Sequence, residues 1–460
     1  MPIVVFLLLA MLSSAPLDAQ ADVAAHRDAA DRLIQAALRD SASYKRLAQL
    51  VDGFGHRMTG AQSLERAIDW IVAEMKRDGF ENVRKEPVTV DHWVRGAESA
   101  ELISPRRTPI AMLGLGRSVG TGPDGIEAPV LVVRSFADLR ARAAEARGKI
   151  VVFNVVFDST VFPFTGYSRA VVYRGAGADS AAAVGGVAML VRSMTPRSLR
   201  SPHTGGMNYG ATGSRIPAAA ISVEDAEMLQ RMQDRGERPA IRLRMSARML
   251  PPAVSHNVVA EIRGSERPDE VIVMGGHIDS WDVGQGAVDD AGGCVAAWEA
   301  LRLIKQLGIR PRRTIRVVLW TAEEIGLTGA VAYRDAHRAE VDKHVLAMES
   351  DNGVFRPMGL TFGGGAGGLE TMSRIGTLMR SVGVDSVSAG GPQADISPLF
   401  ALGVPVAWIQ TDPSRYFWYH HSDADTIDKI DPADLAKNTA ILAVVANTVA
   451  NMDGTLPRVR

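Results

Sequence analysis

A single cysteine, Cys294, among 460 residues removes several classes of chemistry and architecture at once. No intramolecular disulfide can form and no Cys-x-x-Cys redox or metal motif exists, so the fold has to stand on its core. Cys294 itself lies among Ala and Val in a predicted helix, which suits a buried structural thiol. One common hydrolytic signature is also missing. There is no His-Glu-x-x-His, which excludes the helical zinc motif. Net charge is nearly absent: 51 Lys and Arg against 52 Asp and Glu give −1. No general field therefore favours nucleic acid or an anionic membrane as a partner. The one basic cluster, Arg310-Pro311-Arg312-Arg313, reads as a solvated turn.

Long apolar runs are lacking too. The longest near the N-terminus, residues 3–12 (IVVFLLLAML), falls well short of the roughly 20 residues a spanning helix needs. The small residues Ala19-Gln20-Ala21 follow it, and residues 1–21 read as a secretory signal peptide whose charged n-region is reduced to the terminal amine. Export to the periplasm or medium is expected, with no membrane anchor after cleavage.

What is present is an ordinary globular composition, 46% hydrophobic and 22% charged, long enough for about two or three domains. Residues 60–78 carry Leu64, Ile68, Ile71, Val72 and Met75 at helical spacing and stop at Gly79, an amphipathic helix with a glycine stop. From 96 to 250, short β-type runs (PVLVV, KIVVF, VAMLV, AAAIS) alternate with Gly- and Pro-rich turns and only short helical patterns, which predicts a separate β-rich domain. From 254 onward, strand candidates at 258–263, 271–275, 314–320, 344–349 and 404–410 alternate with helical patterns at 291–307, 368–382 and 432–452. That rhythm predicts an α/β fold with a mixed, mostly parallel sheet and helices on both faces.

Acids and imidazoles recur at one structural place, the C-terminal ends of these strands, where open α/β sheets bind ligands. His277 and Asp279 follow 271–275, and Glu323 and Glu324 follow TIRVVLWTA. Glu349 and Asp351 follow HVLAME, and His420 and His421 lie in the long loop after VPVAWIQ. Each has an ordinary alternative, such as a helix cap for Asp290 or a solvated pair for Glu323 and Glu324. Together they compose a donor set that zinc accepts. Two Gly-x-Gly-x-x-Gly matches, Gly120–Gly125 and Gly363–Gly368, lack a surrounding dinucleotide-binding unit and are treated as decoys.

The stretches GGHIDSWDVGQGAVDD, TAEEIGLTGA, ESDNG and YHHSDADT, in this order, resemble the co-catalytic di-zinc exopeptidases over essentially the whole mature chain. The resemblance implies two zinc ions per chain. His277 binds one metal, Asp289 bridges both, Glu324 and Asp351 supply carboxylates, and His421 binds the other metal. Glu323 is the implied general base. His421 is preferred to His420 because the family ligand precedes Ser or Thr and stands four residues before the Asp of Asp-Thr, as His421, Ser422 and Asp425 do.

Asp279 resembles the carboxylate that orients the metal-binding imidazole, and Asp290 stands where relatives show a cis peptide after the bridging residue. Asp282 has no implied role and is expected in a surface turn. His420 replaces a tyrosine that donates to the oxyanion in some relatives; packing among Tyr416, Phe417, Trp418 and Tyr419 is the alternative. GKIVVF and RIPAAAIS resemble pieces of a protease-associated insert at 96–250, which leaves 22–95 and 251–460 as the catalytic domain of a zinc aminopeptidase-like fold. The implied activity is hydrolysis of dipeptides or short peptides, in a family whose members are often homodimers. A glutaminyl cyclase type acyltransferase and a non-catalytic receptor-like protein are the competing readings.

Overall fold

The computed structural model describes residues 23–459 apart from Ser198, Ala211 and Thr212. The expected signal peptide, residues 1–21, lies outside them. No helix among the described residues is long and apolar enough to cross a membrane.

Two eight-stranded sheets organise the chain. The first is built from β1 (Glu81–Val94), β10 (Arg248–Ile262), β11 (Arg267–His277), β12 (Arg313–Trp320), β13 (His344–Glu349), β14 (Pro357–Gly363), β15 (Val387–Ala389) and β16 (Val406–Thr411). Its order is β1-β10-β12-β11-β13-β16-β14-β15. The four central strands β12, β11, β13 and β16 run parallel, while β1, β10 and β14 pair antiparallel at the flanks. The strand candidates of the sequence all belong to this sheet. The sequence offers no strand candidate for β1, β14 or β15; in the long edge strand β1 the alternation is masked because its Arg, Lys, Glu and Asp face water as an edge strand's side chains can.

Between β1 and β10 the chain builds the second sheet from β2 (Glu98–Ser104), β3 (Thr108–Ile110), β4 (Met112–Gly114), β5 (Ile126–Val133), β6 (Ile150–Phe153), β7 (Ala188–Arg192), β8 (Ala218–Ile221) and β9 (Ala240–Met245). The order is β3-β2-β9-β5-β6-β7-β8-β4. This region is not limited to short helices as expected, for helix Pro163–Ala183 runs for 21 residues. Its buried face consists of Gly166, Ala170, Arg174, Gly177, Ala178 and Ala181. A stripe of such small residues carries little hydrophobic periodicity. It is built for close approach: a Cβ on Gly177 would meet Phe153 and Met189 at 3.2 Å.

The core under the first sheet centres on helices Gly292–Gln306 and Pro432–Asn451, both buried over most of their length. Cys294 is buried there, as expected. Asp431 caps the second helix through Ala433 N–H at 2.8 Å, and Pro432 occupies its first turn. The basic cluster at 310–313 is not simply a solvated turn. Arg310 is exposed, but Arg313 is fully buried. Its guanidinium donates to the carbonyls of Val449 at 3.1 Å, Met452 at 2.6 Å and Gly454 at 2.9 Å, which satisfies orphan groups at the end of Pro432–Asn451. The glycine-rich turn after β14 binds the C-terminal tail, with Gly365 N–H donating to Pro457 O at 2.8 Å.

One buried histidine in this core should make folding sensitive to acid. At the start of β13, His344 Nδ1–H donates to Glu340 O and Nε2 accepts from Tyr333 Oη, both at 3.1 Å. Burial pushes its pKa down to about 4. The unfolded chain then takes up a proton near pH 6.5 that the native state refuses until about 4. Stability is complete above that window and falls through it, by up to about 3 kcal/mol. Denaturant titrations across the window should show a shallower pH slope for His344→Gln than for the wild type; equal slopes would show that His344 titrates alike in both states.

Candidate metal centre

The parallel strands of the first sheet end together and deliver their loops to one cavity of about 790 Å³. β11 ends at His277, β12 is followed by Glu323 and Glu324, and β13 leads to Asp351. Asp289 arrives on a short irregular turn ahead of helix Gly292–Gln306, next to a cis Asp289–Asp290 peptide. His420 and His421 follow the short helix Tyr416–Tyr419.

The five expected ligands meet around Asp289. Its Oδ1 lies 3.1 Å from His277 Nε2, and the same nitrogen lies 3.6 Å from Asp351 Oδ1. Its Oδ2 lies 3.3 Å from His421 Nε2, which in turn lies 3.2 Å from Glu324 Oε2. The result is two half-sites that share one carboxylate. Glu324 Oε1 is buried with no hydrogen-bond partner, an unsatisfied oxygen of the kind a bound cation would pair. Imidazole and carboxylate donors suit zinc, and the residues fit a pair of such ions.

Among themselves the groups divide protons unevenly. Burial opposes charge on His277, but contacts with Asp289 and Asp351 outweigh it and hold the ring well above the usual imidazole range. His421, likewise buried, is raised to about 9 by Glu324 and Asp289. Burial works against ionising Asp289, yet the two rings hold it well below the carboxylate range. Glu324 rises to about 7 through burial. Glu323, half-buried at the cavity wall, is raised well above its ordinary value by the same cause, with Asp351 and Glu324 adding to it.

The remaining predicted residues take other positions. Asp279 is fully buried, but its carboxylate is not the group nearest the His277 ring. His277 Nδ1 donates to the Asp279 main-chain carbonyl at 2.9 Å, while Oδ1 stands at 3.8 Å. The carboxylate accepts instead from Glu323 N at 3.1 Å, Glu324 N at 3.3 Å and Thr59 Oγ1 at 2.9 Å. Asp290 accepts from Gly293 N and His277 N, each at 3.1 Å, and so combines a helix cap with a tie to β11. Asp282 is not in a free surface turn: it pairs with the Arg95 guanidinium, Nε to Oδ2 at 2.9 Å. His420 stacks on His421 with ring centroids 3.5 Å apart and meets Tyr167 edge-on at 5.2 Å. Its Nε2 lies 3.6 Å from Asp289 Oδ2, farther than that of His421.

Three contributors escaped the sequence reading. Asp425 gathers the three amides that lead into the shared carboxylate: Ala287 N at 2.8 Å and Val288 N at 2.6 Å on Oδ1, and Asp289 N at 3.1 Å on Oδ2. Arg57, fully buried, donates to the carbonyls of Gly55, Ile278, Gln285 and Gly286 and pins the Trp281–Gly286 loop. Arg174, on the unforeseen helix, lines the cavity beside Tyr167. An arginine whose partners are main-chain carbonyls of distant loops gives no local signal. Asp425 did carry one, its place four residues after His421.

Residues 257–446 match the model of peptidase family M28. Carboxypeptidase Q of Mus musculus is 46% identical over 440 residues, which cover 95% of this chain and 92% of that protein. The crystal structure of a peptidase M28 precursor from Shewanella amazonensis SB2B has a TM-score of 0.92 at 35% identity, covering 95% of this chain and all (100%) of that one. A zinc aminopeptidase from Bacillus subtilis shares the fold, with a TM-score of 0.65 at 20% identity over 90% of this chain and 98% of its own. The family resemblance carried by the four motifs is borne out. With 46% identity to carboxypeptidase Q over 95% of its own length and a family match spanning the strands and loops that bring the imidazoles and carboxylates together, this chain belongs to peptidase family M28.

Proposed function

We propose that the protein is an exported di-zinc exopeptidase that hydrolyses dipeptides and other short peptides with a free N-terminal amine. The observation that carries this reading is the shared carboxylate: Asp289 presents one oxygen to His277 and the other to His421, each imidazole with its own acid, Asp351 and Glu324. His277, Asp351 and Asp289 would hold one ion, and His421, Glu324 and Asp289 the other. Bound zinc supplies Lewis acidity, polarising a carbonyl and easing deprotonation of water near neutral pH.

The chain's own residues supply the remainder. Glu323 takes the proton of the attacking water and returns it to the departing amine. Asp279 positions the centre twice, through its carbonyl on His277 and through its carboxylate on the amides of Glu323 and Glu324. The cavity, about 790 Å³ and walled by Phe164, Tyr167, Trp408 and Tyr416, has the size of small-molecule sites rather than of a protein-binding groove. Residues 96–250, as a protease-associated insert, contribute Phe164 and Tyr167 to that wall and so favour short substrates. Export follows from the signal sequence.

A dipeptide library incubated with the zinc-loaded protein tests the reading, with free amino acids as the expected product. Ammonia released from a Gln-initiated peptide in their place would favour the cyclase, and no turnover of any dipeptide would sink the enzyme reading.

His420 provides a finer test. If it donates to the oxyanion, His420→Ala should lower kcat by about 10²- to 10³-fold with little change in KM, zinc content being unchanged. An unaltered kcat with a raised KM would make the ring a wall of the substrate pocket.

A further inference from the structure

We infer that the segment His203–Gly206, clamped by Arg174, is a positioning element for His421, so that the polypeptide of the second sheet completes the metal centre as well as walling it. The inference rests on the two-ion reading above.

His421 needs such help. Its φ of 61° is left-handed, a conformation uncommon for a residue other than glycine and held here by its neighbours. Thr204 supplies a reciprocal pair: its N–H donates to His421 O at 2.8 Å, and its carbonyl accepts from His421 Nδ1 at 3.3 Å. The first bond fixes the main chain. The second fixes the tautomer, leaving the Nε2 lone pair turned toward Asp289 and Glu324. One residue earlier on each side, His203 Nδ1–H donates to His420 O at 2.6 Å.

Arg174 holds the other face of this segment. It donates from Nη1 to Thr204 O and from Nε to Gly206 O, both at 3.2 Å. Nη1 also stands 3.5 Å from His421 Nδ1, where two donors cannot bond each other and instead share the Thr204 carbonyl. Gly205 makes the approach feasible. At φ 139° it passes so close that a Cβ there would lie 2.1 Å from an Arg174 nitrogen. Thr204 is anchored further by Oγ1 donating to Gly114 O at 2.7 Å and by Arg95, whose guanidinium is also the partner of Asp282. The segment that orients His421 is thereby tied to the loop that leads to Asp289.

Zinc affinity measured by competition with a chromophoric chelator tests this, on wild type, Arg174→Met, Arg174→Lys, Gly205→Ala and His421→Ala. The wild type should bind two ions. Arg174→Met and Gly205→Ala should weaken one of them by about 10- to 100-fold and leave the other unchanged, with Arg174→Lys closer to wild type. In the His421→Ala background, Arg174→Met should add no further loss, since both act on the same ion. Two ions held at wild-type affinity in Arg174→Met, or an additive loss in the double variant, would overturn the inference while leaving the two-ion reading intact. A wild type that binds fewer than two ions would overturn that reading and the inference with it. Should Arg174→Met fail to fold, Gly205→Ala is judged by the same criteria.

Discussion

Replacing Glu323 by Gln should lower dipeptide turnover by at least about 10²- to 10⁴-fold while zinc content stays at the wild-type level. The amide keeps the size and most of the hydrogen bonding of the acid but cannot accept a proton. Its main chain is already fixed by Asp279 Oδ1 at 3.1 Å, so the exchange leaves the loop in place. Glu323 also lines the cavity without belonging to any of the groups whose donor atoms converge for a metal. Turnover and zinc content measured on the same preparation separate the roles. Strong activity in the variant would move the base to Glu324, and lost zinc would make Glu323 a ligand.

His277→Ala and His421→Ala should each abolish tight binding of one zinc ion and with it nearly all turnover. Each ring is the imidazole nearest its half of Asp289, at 3.1 Å and 3.3 Å, with His420 standing farther from the second half at 3.6 Å. The effect should reach the metal-free protein as well. There the two rings are held protonated against buried acids, and removing one leaves an uncompensated carboxylate, typically costing about 3–5 kcal/mol. For His421 the sign follows from a folded pKa raised to about 9 from 6.5. Its contribution to the metal-free fold is complete below 6.5 and is lost as pH rises through about 9. Zinc binding has the opposite dependence, since it displaces those protons and is opposed by acid. Zinc analysis after dialysis, together with thermal melts of the metal-free forms at pH 6 and 9, reads both effects. Full zinc and full turnover in either variant would refute the assignment.

Much of the catalytic half was legible because its evidence is local. A strand of β-branched residues ending in His-x-Asp, or in Glu-Glu, carries its acid at the strand's carboxyl end whatever else the chain does. Parallel strands then place all such ends on one edge. Hence His277, Glu323, Glu324, Asp351 and the pair His420 and His421 could be read together, and the four motifs added Asp289 and chose His421 over His420. The helix Pro163–Ala183 was hidden for an equally local reason. Its buried face, glycine and alanine apart from Arg174, packs by close approach and leaves no apolar stripe to read.

By itself, then, the sequence determined which residues bring donor atoms to the sheet edge, because strand periodicity and loop position are properties of neighbouring residues. Only the tertiary structure decided how those donors are held. Asp282 meets Arg95 across 187 positions, Thr59 reaches Asp279 across 220, and Thr204 accepts from His421 across 217. Such pairs have no spacing rule, for they exist only after the chain has folded and brought distant groups within hydrogen-bond reach. Arg57 and Arg174 belong to the same class: a guanidinium is buried where carbonyls from several loops converge, and that convergence is a property of the folded chain alone.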